Sequence, residues 1–281
     1  MKQINVRKKL LRRIRVSISA VILTLTISLL AACGKTEGSG MIIAGSTSVQ
    51  PYAEVLAEEY MIMNPESPID IQGGGSSAGI TAAQSKSAAI GMSSRSLQVD
   101  ELDLWQTEIA IDGLVLIVNP KNPIEDLSLD QIRDIYAGKI THWSQLSGGG
   151  SKINLIAREE GSGTRSAFTE LAMGEEEITP KAIVQDSNGS VMQLVAGDPN
   201  AIGFISLGLV NDQVKALDLD GVEAIGENII NETYKLARPF LFVTKGEPTG
   251  LTKSFIDFTL SSEGQKILSD EGLIPIVEEN E

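Results

Sequence analysis

Residues 114–118 read Leu-Val-Leu-Ile-Val, an uninterrupted apolar run that ends at Asn119-Pro120. A short apolar run of this kind, bounded by turn residues, is typical of a strand that is buried on both faces. A second run, from Leu236 to Val243, resembles a partner strand but is interrupted at Arg238-Pro239. The stretch between the two runs has strands and helices of its own, so we interpret the two runs as crossings between two lobes.

Short β-type runs alternate with helical patterns on both sides of these crossings. The helix predicted from about Val49 to Met63 has apolar residues at spacings of three and four, which give it one apolar face. Alternation of this kind predicts an α/β fold in which largely parallel sheets are flanked by helices. The other predicted helix is 79–87, and the predicted strands are 41–44, 69–72, 153–157, 182–184 and 202–205.

The crossings also predict the lobe boundaries. Lobe I would contain residues 41–115 together with 236–281, and lobe II would contain residues 116–235. A cleft between two lobes is where ligands commonly bind. We therefore expect the functional site to lie between lobes I and II.

The first 32 residues have the layout of an export signal. Seven basic residues precede an uncharged apolar run from Val16 to Ala32, which is shorter than the roughly 20 residues of a membrane span. The run ends in Leu30-Ala31-Ala32-Cys33, which matches the lipobox of bacterial lipoproteins, where the cysteine receives the lipid. The sequence predicts a signal peptide at 1–32, lipidation at Cys33, a tether at 33–40, and anchoring to the outer face of the cytoplasmic membrane.

The charge balance excludes several classes of function. All 37 Asp and Glu residues follow the signal region, so the rest of the chain carries 16 − 37 = −21 formal charges. Such an acidic chain is a poor partner for nucleic acid, and it would repel an anion at long range. One cysteine, assigned to lipid, and one histidine leave no disulfide and no thiolate or imidazole metal site. We expect neither a metal nor a cofactor.

Four segments place glycine and hydroxyl residues between a strand and a helix. Glycine allows close approach of a ligand, hydroxyls donate hydrogen bonds, and a helix N-terminus offers unpaired N–H groups. Helix capping alone would explain any one segment, and we favour it for the fourth. Their repetition in both lobes, with Arg158 before the third, indicates an oxyanion site. The segments are Gly45-Ser46-Thr47-Ser48, Gly73-Gly74-Gly75-Ser76-Ser77-Ala78-Gly79, Gly161-Ser162-Gly163-Thr164 and Asn188-Gly189-Ser190.

Residues 75–79 also fit the G-x-S-x-G pattern of a serine hydrolase. Such a serine normally needs a histidine base, and His142 is the only histidine in the chain. We therefore expect no enzymatic activity and assign no catalytic residue.

Four segments resemble, in order, the ligand-binding segments of the phosphate-binding proteins of Pst-type ABC transporters: residues 44–49, 75–79, 90–95 and 158–165. The resemblance extends over nearly all of the chain after the signal, and its most specific piece is Arg158-Glu159-Glu160-Gly161-Ser162-Gly163-Thr164-Arg165. It implies a two-lobed periplasmic-binding-protein-like fold of type II. It also implies that inorganic phosphate is captured for a permease pair driven by a cytoplasmic ATPase.

The resemblance also implies which residues bind the anion. Lobe I would use Thr47, the backbone amide of Ser48, and Ser76. Lobe II would use Arg158, Ser162, Gly163 and Thr164. To this implied set we add Ser46, Ser77 and Ser94 as further candidate ligand-binding residues.

Ser94 is a departure, because family members have an aspartate there. An acceptor carboxylate favours phosphate, which keeps a proton at neutral pH, over sulfate, which does not. Asp112 is our candidate acceptor, and the alternative is a structural aspartate in a turn. Sulfate, arsenate or molybdate as ligand, and an exported sensor or scavenger as function, stay open. For Arg95 we favour pairing with a neighbouring carboxylate over ligand contact.

Overall fold

The computed structural model describes residues 40–146 and 149–276. The predicted signal peptide at 1–32, the lipidation site Cys33, the tether up to Ser39, and residues 277–281 of lobe I lie outside these ranges. Within them, no helix is both long enough and apolar enough to cross a membrane.

The described chain alternates strands and helices, as predicted. The first part contains β1 (Met41–Gly45), α1 (Gln50–Met63), β2 (Ile69–Gly73), α2 (Ser76–Ser85), β3 (Ile90–Ser93) and β4 (Trp105–Val118). The middle contains β5 (Asp126–Leu127), α3 (Leu129–Tyr136), β6 (Asn154–Arg158), α4 (Gly163–Phe168), β7 (Ile183–Gln185), α5 (Asn188–Gly197), β8 (Ala201–Ser206), β9 (Lys215–Ala216), β10 (Asp218–Leu219) and α6 (Gly226–Ile230). The last part contains β11 (Ala237–Thr244), α7 (Gly250–Thr259) and α8 (Ser262–Asp270).

One path of paired strands connects the two halves of the described chain. The order is β2-β1-β3-β11-β4-β8-β6-β7, with β9 also paired to β4. Pairing is parallel among β2, β1 and β3 and among β8, β6 and β7, whereas β11 and β4 run antiparallel to their neighbours. Residues 105–113 of β4 pair with β11 and residues 114–118 pair with β8. Strand β4 is therefore shared by both halves.

Each half buries its own hydrophobic core. One core contains Ile43, Leu56 and Phe255, and the other contains Tyr136, Phe168 and other residues of the middle of the chain. In the second core the rings of Phe168 and Phe204 stack with their centroids 4.1 Å apart. The two cores on one shared strand give an α/β fold with two lobes, which is the predicted fold class.

The crossing strands differ from prediction in two respects. Strand β4 begins at Trp105 rather than near Leu114. The sequence did not predict its first part, because Gln106, Thr107 and Glu108 are polar and interrupt any apolar run. Asp112 consequently lies inside a strand and not in a turn, which corrects its predicted position. Strand β11 continues through Pro239, although proline has no N–H to donate. On the β3 side, pairing is confined to Leu241–Val243, so β11 loses no hydrogen bond to β3 at Pro239.

Helix α2 packs directly on the strands below it. It begins at Ser76, three residues before the predicted start, and follows Gly75, whose φ of 86° favours glycine. A Cβ at Gly79 would lie 2.5 Å from the carbonyl oxygen of Ala44 and 2.9 Å from that of Met92. The absence of a side chain at Gly79 therefore brings the N-terminus of α2 against the ends of β1 and β3.

We predict that Gly79→Ala destabilises the protein. The new methyl group would clash with backbone atoms that cannot move aside, which lowers the free energy of unfolding by about 1–3 kcal/mol. Alanine's higher helix propensity would offset up to about 1 kcal/mol of this loss. Gly197→Ala is the matched control, since nothing lies within 4 Å of a Cβ at that helix position. Urea unfolding of both variants would measure the difference, and equal midpoints would contradict the packing argument.

Candidate functional site

The predicted hydroxyl residues of lobe I form one buried network. The Oγ of Ser46 accepts a hydrogen bond from the backbone N–H of Ser48 at 3.1 Å and donates to the Oγ of Ser94 at 2.9 Å. The Oγ of Ser76 accepts from the backbone N–H of Ser94 at 3.0 Å and lies 3.3 Å from its Oγ. Ser76 and Ser94 share one hydrogen bond between two hydroxyls, so one hydroxyl proton of the pair is left for another acceptor.

Arg158, the last residue of β6, lies against this network from the other half of the strand path. Its Nε and Nη2 donate to the carboxylate of Glu159 at 3.0 and 2.9 Å, and Nη2 also donates to Thr47 Oγ1 of lobe I at 3.2 Å. Its side chain is 1% exposed. The Nη1 atom is buried and has no hydrogen-bond partner among the described residues. An unpaired, buried guanidinium nitrogen is costly, which indicates that an acceptor belongs beside it.

The start of α4 closes against α2. Ser162 caps this helix, because its Oγ accepts from the backbone N–H of Arg165 at 3.3 Å. A Cβ at Gly163 would overlap Ser76 Oγ and lie 2.7 Å from Ser94 Oγ. The glycine therefore permits direct contact between the two lobes at the hydroxyl network.

Ser48 connects two further groups around the site. Its Oγ lies 2.8 Å from Thr164 Oγ1, and it accepts from Asn188 Nδ2 at 2.9 Å.

Ser187 caps α5 by accepting from the backbone N–H of Ser190 at 3.2 Å, so the capping interpretation of this segment is confirmed. Asn188 additionally reaches Ser48, and the sequence argument had given it no such role.

Asp112 and Arg238 form a buried ion pair on the two crossing strands. Asp112 Oδ2 accepts from Arg238 Nε at 3.0 Å and Nη2 at 2.9 Å, and Oδ1 accepts from Ser206 Oγ at 2.7 Å. Arg238 also donates to Ser48 Oγ at 3.3 Å and to the carbonyl oxygen of Ser94 at 3.4 Å. Asp112 is therefore separated from the hydroxyl network only by one guanidinium group.

The sequence argument missed Arg238, which it treated only as an interruption of a strand. The available signal was a cation inside an otherwise apolar strand, because such a charge requires a buried partner. It could not identify Asp112 as that partner, since the two residues lie 126 positions apart.

Burial dominates the electrostatics of this pair. It raises the pKa of the Asp112 carboxyl, against the opposing effects of the Arg238 charge and the Ser206 hydrogen bond. It lowers the pKa of the Arg238 guanidinium; Asp112 opposes that shift, and the positive charge of Arg158 adds to it. The two guanidinium groups thus repel each other, and an anion between them would relieve that repulsion.

The remaining predicted residues lie at the rim or outside the site. Thr47 and Ser77 are partly exposed, and the backbone N–H of Ser77 donates to Gly161 at 3.1 Å. Arg95 pairs with Glu101 through hydrogen bonds of 2.7 and 2.8 Å, which confirms the carboxylate interpretation.

The hydrolase arrangement is not formed. His142 is exposed and its Nδ1 lies 3.0 Å from Thr141 Oγ1. Among the residues that the structure describes, no hydrogen bond joins His142 to Ser77.

Known proteins are similar to this chain in sequence and in fold. A family model described as "PBP superfamily domain" matches residues 32–263. The phosphate-binding protein PstS of Bacillus subtilis (strain 168) is 34% identical over 255 residues, which cover 88% of this chain and 85% of the relative.

Two solved structures are also similar. A putative phosphate ABC transporter substrate-binding protein from Clostridium perfringens, with bound phosphate, is 47% identical; the match covers 85% of this chain and all of that one, with a TM-score of 0.83. An ABC-type phosphate transport receptor from Vibrio cholerae is 38% identical, with coverages of 83% and 99% and a TM-score of 0.71. The chain therefore belongs to the PBP superfamily and, within it, to the PstS family of phosphate-binding proteins.

Proposed function

We propose that this protein captures inorganic phosphate between its two lobes and delivers it to an ABC transporter. The observation that supports this proposal best is the buried, unpartnered Nη1 of Arg158 beside a network of hydroxyl donors. In the proposed division, lobe I contains residues 41–115 and 236–281, and lobe II contains residues 116–235. The site residues come from both parts.

The proposed mechanism is closure of the lobes around one dehydrated anion. Lobe I contributes Thr47, the amide of Ser48, and the proton left over on Ser76 or Ser94. Lobe II contributes Arg158, with Thr164 from the first turn of α4. An anion that contacts both lobes binds the closed form more tightly than the open form, and it therefore stabilises closure. No bond in the anion is made or broken.

Ser46, Ser77, Ser162 and Gly163 have supporting roles in this proposal. The hydroxyls of Ser46 and Ser162 accept hydrogen bonds from backbone N–H groups and fix the loops in which they lie. Gly163 provides clearance between the lobes, and the backbone of Ser77 links the loops through Gly161.

We propose that Asp112 selects protonated phosphate through its negative charge, from behind the Arg238 guanidinium, rather than by direct contact with the phosphate proton. Ser94 is neutral, so it cannot repel a fully deprotonated anion as a carboxylate would. Asp112 contacts the guanidinium of Arg238, and that group also contacts Ser48 and Ser94. A negative charge so close to the hydroxyls would disfavour sulfate, which has no proton to donate.

The partners and location are part of the same proposal. The similar proteins from Clostridium perfringens and Vibrio cholerae are described as belonging to phosphate ABC transport systems. We propose that this chain docks on a permease pair with a cytoplasmic ATPase. Export by the signal at 1–32 and a lipid on Cys33 would hold it at the outer face of the cytoplasmic membrane.

Calorimetric titration of the purified protein with phosphate, arsenate, sulfate and molybdate tests the ligand. We expect phosphate to bind more tightly than sulfate, and Arg158→Ala to weaken phosphate binding at least about 100-fold, because charge-assisted hydrogen bonds contribute about 1.5–3 kcal/mol each. Arg133→Ala is the matched control, since Arg133 pairs with exposed Asp130. Tighter binding of sulfate, or unchanged affinity in Arg158→Ala, would refute the proposal.

Asp112→Asn should reduce the discrimination between phosphate and sulfate. The substitution removes the negative charge that opposes sulfate, and we expect the ratio of the two affinities to fall at least about tenfold, or about 1.4 kcal/mol. The ratio is the useful measurement, because leaving Arg238 without its carboxylate partner would strengthen the binding of both anions. An unchanged ratio would show that Asp112 does not select the anion.

Cys33→Ser should release the protein from the membrane. The lipid would have no thiol to attach to, so we expect loss of metabolic palmitate labelling and recovery of the protein in the soluble exported fraction. Equal labelling of the parent and the variant would rule out lipidation at Cys33.

A further inference from the structure

Ser48 Oγ is the centre of a buried three-way hydrogen-bond junction. Its partners are Thr164 Oγ1 at 2.8 Å, Asn188 Nδ2 at 2.9 Å and Arg238 Nη2 at 3.3 Å. All four side chains are buried, so water does not compete for these contacts. The junction joins the start of α1, the start of α4, the start of α5 and the strand β11.

The chemistry of the partners fixes the direction of each bond. A hydroxyl has two lone pairs and one proton, whereas a guanidinium and an amide nitrogen can only donate. The amide of Asn188 is oriented by the backbone N–H of Ser206, which donates to Oδ1 at 3.4 Å and leaves Nδ2 facing Ser48. Arg238 and Asn188 therefore occupy both lone pairs of Ser48.

The proton of Ser48 then has one destination. With both lone pairs occupied, Ser48 must donate to Thr164 Oγ1, which accepts. Among the described residues, Thr164 Oγ1 has no other hydrogen-bond partner, so its own proton is left for a bound group. Thr164 is thereby committed to donate.

We propose that Asn188 and Arg238 are positioning residues that commit Thr164 to donate a hydrogen bond to the bound oxyanion. They do so by directing the proton of Ser48 towards Thr164. This inference rests on the proposed function and adds a selectivity element to it: the committed donor favours an unprotonated oxygen of the anion, which is the stronger acceptor. The protonated oxygen of phosphate is left to the side of the site where Asp112 lies.

A merely structural role for Asn188 makes a different prediction from a role in orienting protons. If Asn188 only supports packing, its loss weakens binding by the same factor whether or not residue 164 has a hydroxyl. If Asn188 acts through Thr164, its loss has no effect once that hydroxyl is absent. A double-mutant cycle separates the two cases.

The experiment compares Asn188→Ala, Thr164→Val and the double variant by calorimetric titration with inorganic phosphate. We expect each single variant to bind about tenfold more weakly than the parent, and the double variant to match Thr164→Val within about twofold. Multiplied losses in the double variant, or unchanged affinity in Asn188→Ala, would overturn the inference. A parent protein that does not bind phosphate would overturn the proposed function and this inference with it.

A matched control variant guards against effects on folding. Asn122→Ala removes another buried asparagine, whose side chain donates to the carbonyl of Pro199 away from the site, and it should leave phosphate affinity unchanged.

A second variant tests the role of Arg238. Arg238→Lys keeps a positive charge beside Asp112 but lacks the fork that reaches both Asp112 and Ser48. Combined with Thr164→Val, it should lose no further affinity, and a further loss would show that Arg238 does not act through Thr164.

Discussion

The site depends on the burial of two guanidinium groups, Arg158 and Arg238, that are close enough to repel each other. Removing a cation from water is costly unless carboxylates or other acceptors replace the lost hydration. Asp112 provides this for Arg238, and Glu159 provides it for Arg158. One nitrogen of Arg158 is nevertheless left without an acceptor. The fold therefore carries an electrostatic cost that a negatively charged ligand would reduce.

This arrangement explains how an acidic protein can hold an anion. The chain after the signal has a formal charge of −21, and so large a negative charge repels anions at a distance. Salt limits that repulsion to about 8 Å at physiological ionic strength. The hydroxyls and guanidinium groups of the site are buried and act within hydrogen-bond distance. Binding is consequently decided by local geometry, and the surface charge affects mainly the rate of approach.

The sequence predicted what local patterns determine. Ser46, Ser76, Ser162 and Thr164 could be grouped because each lies at a strand end or helix start, and such positions converge in an α/β fold. Ser94 was identified only through the family resemblance. It missed Arg238, whose partner Asp112 is remote in sequence. Asp112 was a candidate from the sequence, but its pairing with Arg238 could not be predicted, because a polar residue in a strand interior has meaning only once its partner is known. The polar start of β4 was missed for a related reason, because it is held in the sheet by pairing with β11 and has no apolar pattern of its own.

Gly163 shows how the closeness of the lobes constrains the sequence itself. Its backbone is not in the left-handed region, so the usual conformational reason for a glycine does not apply. The constraint is instead the hydroxyl of Ser76, contributed by a helix that begins 87 residues earlier in the chain. Even alanine would act as a wedge between the halves of the molecule. Tolerance to substitution at this position therefore depends on the space across the cleft, and a side chain is excluded there even though the backbone conformation does not require glycine.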